Sequence, residues 1–296
     1  MNAAGRLGLY GVGVVVAFGA AFGIGAAVVP ASAVDDWTAA ASETASGHEG
    51  MDMGDETIPG LSLSGSGYAL GPVTAPARTD EFGELSFQIL DAEGEPLTSY
   101  ETAHEKELHL IVVRSDGSEF RHVHPTLDAT TGTWSVPWEW DEAGSYRVYA
   151  DFVTGDSDKL TLTRTVEVAG EVTPAPATAT TTTSEVDGFT VTLDGTLTAG
   201  ETSELTLSVA REGDPVTTLE PYLGAFGHLV ALRDGDMAYL HVHAGGDEPE
   251  AGDTAGPDIA FAAEAPTAGR YLLYLDFQVD GQVHTASFVV DAGYGH

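Results

Sequence analysis

The segment EGEPLTSYE at 93–101 returns as EGDPVTTLE at 212–220, and the same offset of 119 residues carries His109 onto His228, His122 onto His241 and His124 onto His243. A long, fixed offset means one structural unit made twice, so both halves of the chain must adopt the same fold. The Tyr-x-Asp-Phe stretches at 149–152 and 274–277 also match, after a longer insertion in the second copy. Within each copy the pattern is period-two alternation broken by turn residues every eight to twelve positions, which reads as short strands. In the first copy these are ELSFQIL (84–90), LHLIVV (108–113), TWSVPWEW (133–140), SYRVYADF (145–152) and LTLTRTVEV (160–168). The second gives FTVTLDG (189–195), ELTLSVA (204–210), HLVALR (228–233), MAYLHVH (237–243), RYLLYLDF (270–277) and HTASFVV (284–290).

No amphipathic helix pattern follows the N-terminus. The expected fold is all-β, two tandem immunoglobulin-like β-sandwiches, with repeat 1 at 66–169 and repeat 2 at 186–296. TPAPATATTTT (173–183) makes 170–185 an extended linker. Residues 1–33 read as a signal peptide or membrane anchor. Arg6 precedes an apolar run at 7–30, long enough to span a bilayer as a helix, and Ala31-Ser32-Ala33 offers a small-residue cleavage site. The chain is expected to work outside the cytoplasm, anchored through 7–30 if uncleaved and secreted if cut after Ala33. Residues 34–65 form a flexible acidic stalk, whose His48, Met51 and Met53 are either loose copper ligands or incidental.

Comparison of 108–125 with 227–244 gives six identities in 18 positions, and three of the six are histidines. Two thirds of the hairpin has drifted while its histidines stayed. A two-residue turn at Asp116-Gly117 pairs His109 with His124, and the strand period puts His122 on the same face. Gly235-Asp236 does the same for His228, His243 and His241. Three imidazoles on one hairpin suit Cu²⁺ or Zn²⁺, and a cluster packed structurally at a sandwich edge is the competing account. Asp151 and Asp276, in the matched Tyr-x-Asp-Phe strands, either ligate, orient an imidazole, or accept loop amides. His284 belongs to the second repeat only; a two-residue turn at Asp280-Gly281 pairs it with Phe277 and turns it away from Asp276, and a bulge reverses that. Tyr222, Phe226 and the tryptophans 134, 138 and 140 are expected to fill cores.

The chain has no cysteine, which removes thiolate catalysis, disulfides and thiolate metal sites, leaving His, Met and carboxylates as ligands. With 46 acidic against 11 basic residues the net charge is −35, so nucleic acid and anionic lipid surfaces are repelled. No nucleophile elbow, phosphate-binding glycine loop or dinucleotide fingerprint occurs, and no residue pair stands out as catalytic.

The stretch GHLVALRDGDMAYLHVHA (227–244), with RLGLYGVGVVVAFGAAFG at the N-terminus, resembles exported, often membrane-anchored actinobacterial proteins with an HLVVLR…YLHVHP hairpin. Some are described as heavy-metal-binding, and they are similar in plan to YtkA-like extracytoplasmic domains. The resemblance covers most of the chain. It implies His228, His241 and His243 as the motif, with Asp276 and His284 nearby; Ala244 departs from the motif's proline. A local His-Val-His likeness to copper–zinc superoxide dismutase lacks that enzyme's zinc loop and disulfide. Cupin oxygenases share His-x-His but not the closely following glutamate. The expected function is therefore extracytoplasmic binding of copper or zinc for buffering, delivery or resistance, one three-histidine hairpin per repeat. A metal-dependent oxidoreductase and a structural or adhesion protein with non-ligating histidines are the alternatives. No protein partner is legible.

Overall fold

A computed structural model of the chain describes residues 60–295 except 156–158, 247 and 251 and the side chain of His241. The signal-or-anchor segment, most of the stalk, and with it His48, Met51 and Met53, lie outside the described residues. Every regular element among the described residues is a strand, and none of them is a helix long and apolar enough to cross a membrane.

Repeat 1 holds β1 (Ser64–Gly65), β2 (Tyr68–Leu70), β3 (Gly83–Leu90), β4 (Leu108–Arg114), β5 (Arg121–Val123), β6 (Thr126–Asp128), β7 (Thr133–Trp138), β8 (Gly144–Phe152) and β9 (Leu160–Val168). Repeat 2 holds β10 (Thr183–Val186), β11 (Phe189–Gly195), β12 (Thr198–Ala199), β13 (Thr202–Arg211), β14 (Asp214–Pro215), β15 (His228–Arg233), β16 (His241–Ala244), β17 (Asp258–Glu264), β18 (Gly269–Val279) and β19 (Gln282–Tyr294). Each repeat is a sandwich of two sheets. Their orders are β1-β2-β3-β7-β6 over β5-β4-β8-β9, and β10-β11-β13-β17-β16, with β14 on β13, over β12-β19-β18-β15.

Alternation explains the two inner cores. In β3 Leu85, Phe87 and Ile89 point inward, and in β13 Leu205, Leu207 and Val209 do so. Trp134, Trp138 and Trp140 join the first core. Strands β4 and β15 break the alternation, because both of their faces are covered. Leu108, Leu110 and Val112 enter the first core, while Ile111 and Val113 point the other way, into a third core with Val230, Leu232, Tyr149, Tyr239, Leu272 and Tyr274. That third core lies between the repeats. A strand buried on both faces reads as a continuous apolar run, which is what LHLIVV and HLVALR are.

The seam is close to two-fold. The Tyr149 hydroxyl donates to the Met237 carbonyl across it at 2.6 Å, and Tyr274 donates to the Gly117 carbonyl at 2.6 Å. Phe120 stacks on Tyr274 with ring centroids 4.0 Å apart; its counterpart Tyr239 lies 6.0 Å from Tyr149. Equivalent patches of the two copies thus meet as in an isologous dimer. The linker is laid along the hairpin tips. The Ala175 amide donates to Asp116 Oδ2 (2.8 Å), Arg114 to the Thr173 carbonyl (3.2 Å) and Arg270 to the Ala177 carbonyl (3.0 Å). Residues 183–185, read as linker, are the start of β10.

The first hairpin turns differently from the sequence reading yet keeps its register. Gly117, at φ 85°, closes a turn on the Arg114 carbonyl, Arg114 pairs with Ser118, and Glu119, at φ 55°, adds a bulge. Beyond the bulge Leu110 faces Val123 and Ile111 faces His122, the register that a two-residue turn would have produced. Gly117 also has no room for a side chain, since a Cβ there would lie 2.5 Å from Leu272 Cδ1. Gly117→Ala should therefore cost about 1–3 kcal/mol in urea unfolding, combining left-handed strain with overpacking. Gly235→Ala in the second hairpin, at φ 101° with nothing within 4 Å, should cost less. Equal losses would mean that the seam tolerates the extra methyl.

Candidate metal centre

The ends of β4 and β15 bring histidines to the edge of the third core. His109 is directly opposite Asp151 on β8, and His228 directly opposite Asp276 on β18. Both histidines share a strand face with the seam residues, so each repeat presents a His/Asp pair to the other. The His109 and His228 rings stack, centroids 5.4 Å apart and planes within 7°. The β4–β5 register adds His122 and, one step past the ladder, His124. His109, His122 and His228 hold ligand nitrogens within 4.8 Å of one another.

Outer partners fix the tautomers. His122 Nδ1 lies 2.8 Å from Asp276 Oδ2, and His109 Nε2 lies 3.1 Å from the Ala103 carbonyl. Carboxylate and carbonyl oxygens only accept, so both nitrogens carry protons. In the neutral rings His109 Nδ1 and His122 Nε2 are then bare, and they face each other at 3.1 Å. His124 Nε2 is 3.2 Å from the same His109 Nδ1. Asp276 is itself held by the Thr285 hydroxyl at 2.6 Å.

Burial favours the neutral form of His109, His124 and His228. The His109 pKa falls from 6.5 to about 4 and that of His124 to about 3, through desolvation first and then the neighbouring His122. His228 is driven well below 6.5 by the same causes in the same order.

The second hairpin behaves differently from the first. Beyond its tip, β16 leaves β15 and pairs with β17 in the opposite sheet, His241 facing Glu264 and His243 facing Ala262. The expected convergence of His228, His241 and His243 on one hairpin is therefore replaced by His228 meeting His109 and His122 of the other repeat. His243 is exposed, and the described part of His241 is its backbone in β16. Asp151 takes the Thr161 hydroxyl at 2.8 Å and the Lys159 ammonium at 2.9 Å. Asp280-Gly281 makes the two-residue turn, Phe277 pairs with His284, and His284 bonds Asp187 at 2.8 Å, away from the centre. Tyr222 lies 6.4 Å from the His124 ring, and Phe226 packs on the second inner core. His104 escaped the sequence reading, although its ring is 5.7 Å from His228 and 6.1 Å from His109. Its counterpart at the repeat offset is Leu223, so the duplicated pattern carried no signal for it.

A family model described as a domain of unknown function (DUF8832) matches residues 66–170 and again 184–293. The chain belongs to this family. Its two DUF8832 copies coincide with the two sandwiches. A comparison with functionally described proteins finds no match. Solved structures similar to the chain include a Salmonella alpha-2-macroglobulin variant, at 15% identity over 82% of this chain and 15% of that one, TM-score 0.27. Invasin, a bacterial integrin-binding protein, matches at 15% over 77% and 39%, TM-score 0.22. The Escherichia coli adhesin FdeC matches at 17% over 78% and 66%, TM-score 0.24. This DUF8832 chain thus spans less than two thirds of each of those proteins.

His109, His124 and His228 make the protein acid-sensitive. Their folded pKa values lie below 6.5, so between about pH 6.5 and 4 the unfolded chain binds more protons than the folded one. Stability should be complete above about pH 7 and fall as pH drops towards 4, by about 3 kcal/mol for His109 alone. Urea midpoints measured from pH 7.5 to 4 test this; a midpoint unchanged between pH 7 and 5 would contradict a neutral buried cluster.

Proposed function

We propose that this DUF8832 protein binds a single Cu²⁺ or Zn²⁺ ion in a histidine centre built across its two repeats, and that it buffers, delivers or detoxifies that metal outside the cytoplasm. The apolar segment 7–30 would export the chain or tether it to the membrane. The observation that carries the reading is the 3.1 Å approach of His109 Nδ1 to His122 Nε2, each ring's other nitrogen being bonded to an oxygen acceptor. Two lone pairs repel at that distance unless a cation lies between them. His122 Nε2 and His124 Nε2 lie 3.1 and 3.2 Å from His109 Nδ1, near the roughly 3.3 Å edge of a tetrahedron of imidazoles about 2.0–2.1 Å from zinc, and His228 of repeat 2 offers a nitrogen within 4.8 Å of those of His109 and His122. Asp276 behind His122 supplies the carboxylate–histidine pairing that orients a metal-ligating ring and raises its basicity. The set holds nitrogen and no sulfur, which suits Zn²⁺ or Cu²⁺.

A second reading is structural. With His122 as an imidazolium, its Nδ1–H answers Asp276 of repeat 2 and its Nε2–H answers His109, so a proton fills the role of the ion. The histidines would then clasp the two sandwiches together, as in a scaffold or adhesion protein.

Native mass spectrometry of the full chain after exposure to Zn²⁺ or Cu²⁺ and dialysis separates the two. One retained ion per chain is expected, where a site on each hairpin would hold two. His109→Ala or His122→Ala should abolish retention, His243→Ala should spare it, and Asp276→Asn should weaken it about 10–100-fold. A chain that keeps no ion, yet loses stability in His122→Ala, would overturn the metal reading in favour of the clasp.

A further inference from the structure

We infer that the cleft between the repeats is the route by which a divalent cation reaches the histidine centre, and that His104 is the transient outer ligand that passes it inward. The inference rests on the metal reading above. The centre is mostly enclosed: the His122 side chain is 0% exposed, His109 3% and Asp276 2%, while His228 is partly exposed. A buried ion site needs a way in.

A cleft of ≈ 510 Å³ opens beside the centre, walled by both repeats, with His228 and His104 in its lining. His104 also lines a much smaller pocket of ≈ 10 Å³ together with His109 and Asp151. One exposed imidazole therefore borders the cleft and touches both buried rings, 5.7 Å from His228 and 6.1 Å from His109. Farther out, exposed His243 and Glu248 line the same cleft and lie within electrostatic reach of His104. A carboxylate and two imidazoles lining one cleft suit a divalent cation. The one ammonium in the wall, Lys159, is bound to Asp151 at 2.9 Å.

The backbone at His104 points the same way. Ala103 and Lys106 exchange both of their backbone hydrogen bonds, at 2.8 and 3.1 Å, around His104 (φ 50°) and Glu105 (φ 62°). Two successive left-handed residues without a glycine are strained. Repeat 2 has the same turn between Tyr222 and Ala225, with Leu223 at φ 58° and Gly224 at φ 77°. There the equivalent side chain, Leu223, is 1% exposed and fills core. Repeat 1 uses an identical backbone, without the relieving glycine, to hold an imidazole at the mouth of the centre.

The second turn also supplies the test, because it demonstrates that leucine fits this position. Zn²⁺ uptake by the full chain is followed by stopped flow with a chromophoric zinc indicator, and release by chelator competition, for wild type, His104→Leu and His104→Gly. Both variants should take up and release Zn²⁺ at least an order of magnitude more slowly, with stoichiometry, affinity and thermal midpoint unchanged. Wild-type rates in His104→Leu would overturn the inference. Faster exchange in His104→Gly would make His104 a steric door, and faster release with weaker affinity would make it a permanent ligand; either overturns the relay. A wild-type chain that holds no ion defeats the metal reading, and the relay with it.

Discussion

Covering the outer faces of β4, β8, β15 and β18 is the requirement on which the rest of the structure depends. Each sandwich closes its own core with the inner faces of its sheets and is left with Ile111, Val113 and Tyr149, or Val230, Leu232 and Tyr274, on the outside. Apolar area of that extent is a liability in water, and burial is worth roughly 25 cal/mol per Å². Because the two copies descend from one pattern, the cheapest cover for the patch of one repeat is the patch of the other. The hydroxyls of Tyr149 and Tyr274 would be costly there without partners, and each finds a carbonyl at the opposite hairpin tip. The stacking of His109 on His228 follows from that docking, since both lie on the covered faces two residues before Ile111 and Val230.

How much of this was legible follows from where the information resides. Alternation marked β3, β9, β11 and β13, and the unbroken runs in β4 and β15 already encoded two-sided burial, although a single run cannot say what covers its second face. The strand β17 was passed over because its inward residues, Ile259, Phe261 and Ala263, are separated by Ala260 and Ala262, and alanine is a poor strand signal. The first hairpin's register was recoverable because a turn and a bulge compensate. The second hairpin was not, because β16's choice of β17 over β15 is made by the sheet it joins and not by its own turn. His104 could not have been found by comparing the repeats, since Leu223 stands in its place.

The seam is near-symmetric, yet its two His/Asp pairs differ. Each repeat offers a His/Asp pair to the seam, and in each the aspartate's first oxygen is held by the threonine paired across from it, Thr161 or Thr285. The second oxygen distinguishes them. On Asp276 it receives His122 from the other repeat; on Asp151 it receives Lys159 from its own. Lysine cannot pass the effect of the carboxylate on to a ligating nitrogen, whereas histidine has a second nitrogen to offer. The Asp276 side therefore holds an imidazole whose second nitrogen faces His109, and the Asp151 side is a neutralised ion pair.

A homodimer of identical repeats would have to satisfy both sides of its axis with the same residues. Fusing two copies into one chain removes that restriction. His284 pairs across from Phe277 and bonds Asp187, where repeat 1 has Leu160 across from Phe152, and Lys159 beside it closes Asp151. Repeat 1 carries exposed His104 where repeat 2 carries the buried Leu223. Together these differences leave the two sides of the seam unlike among the described residues, with His109, His122 and His228 gathered on one of them.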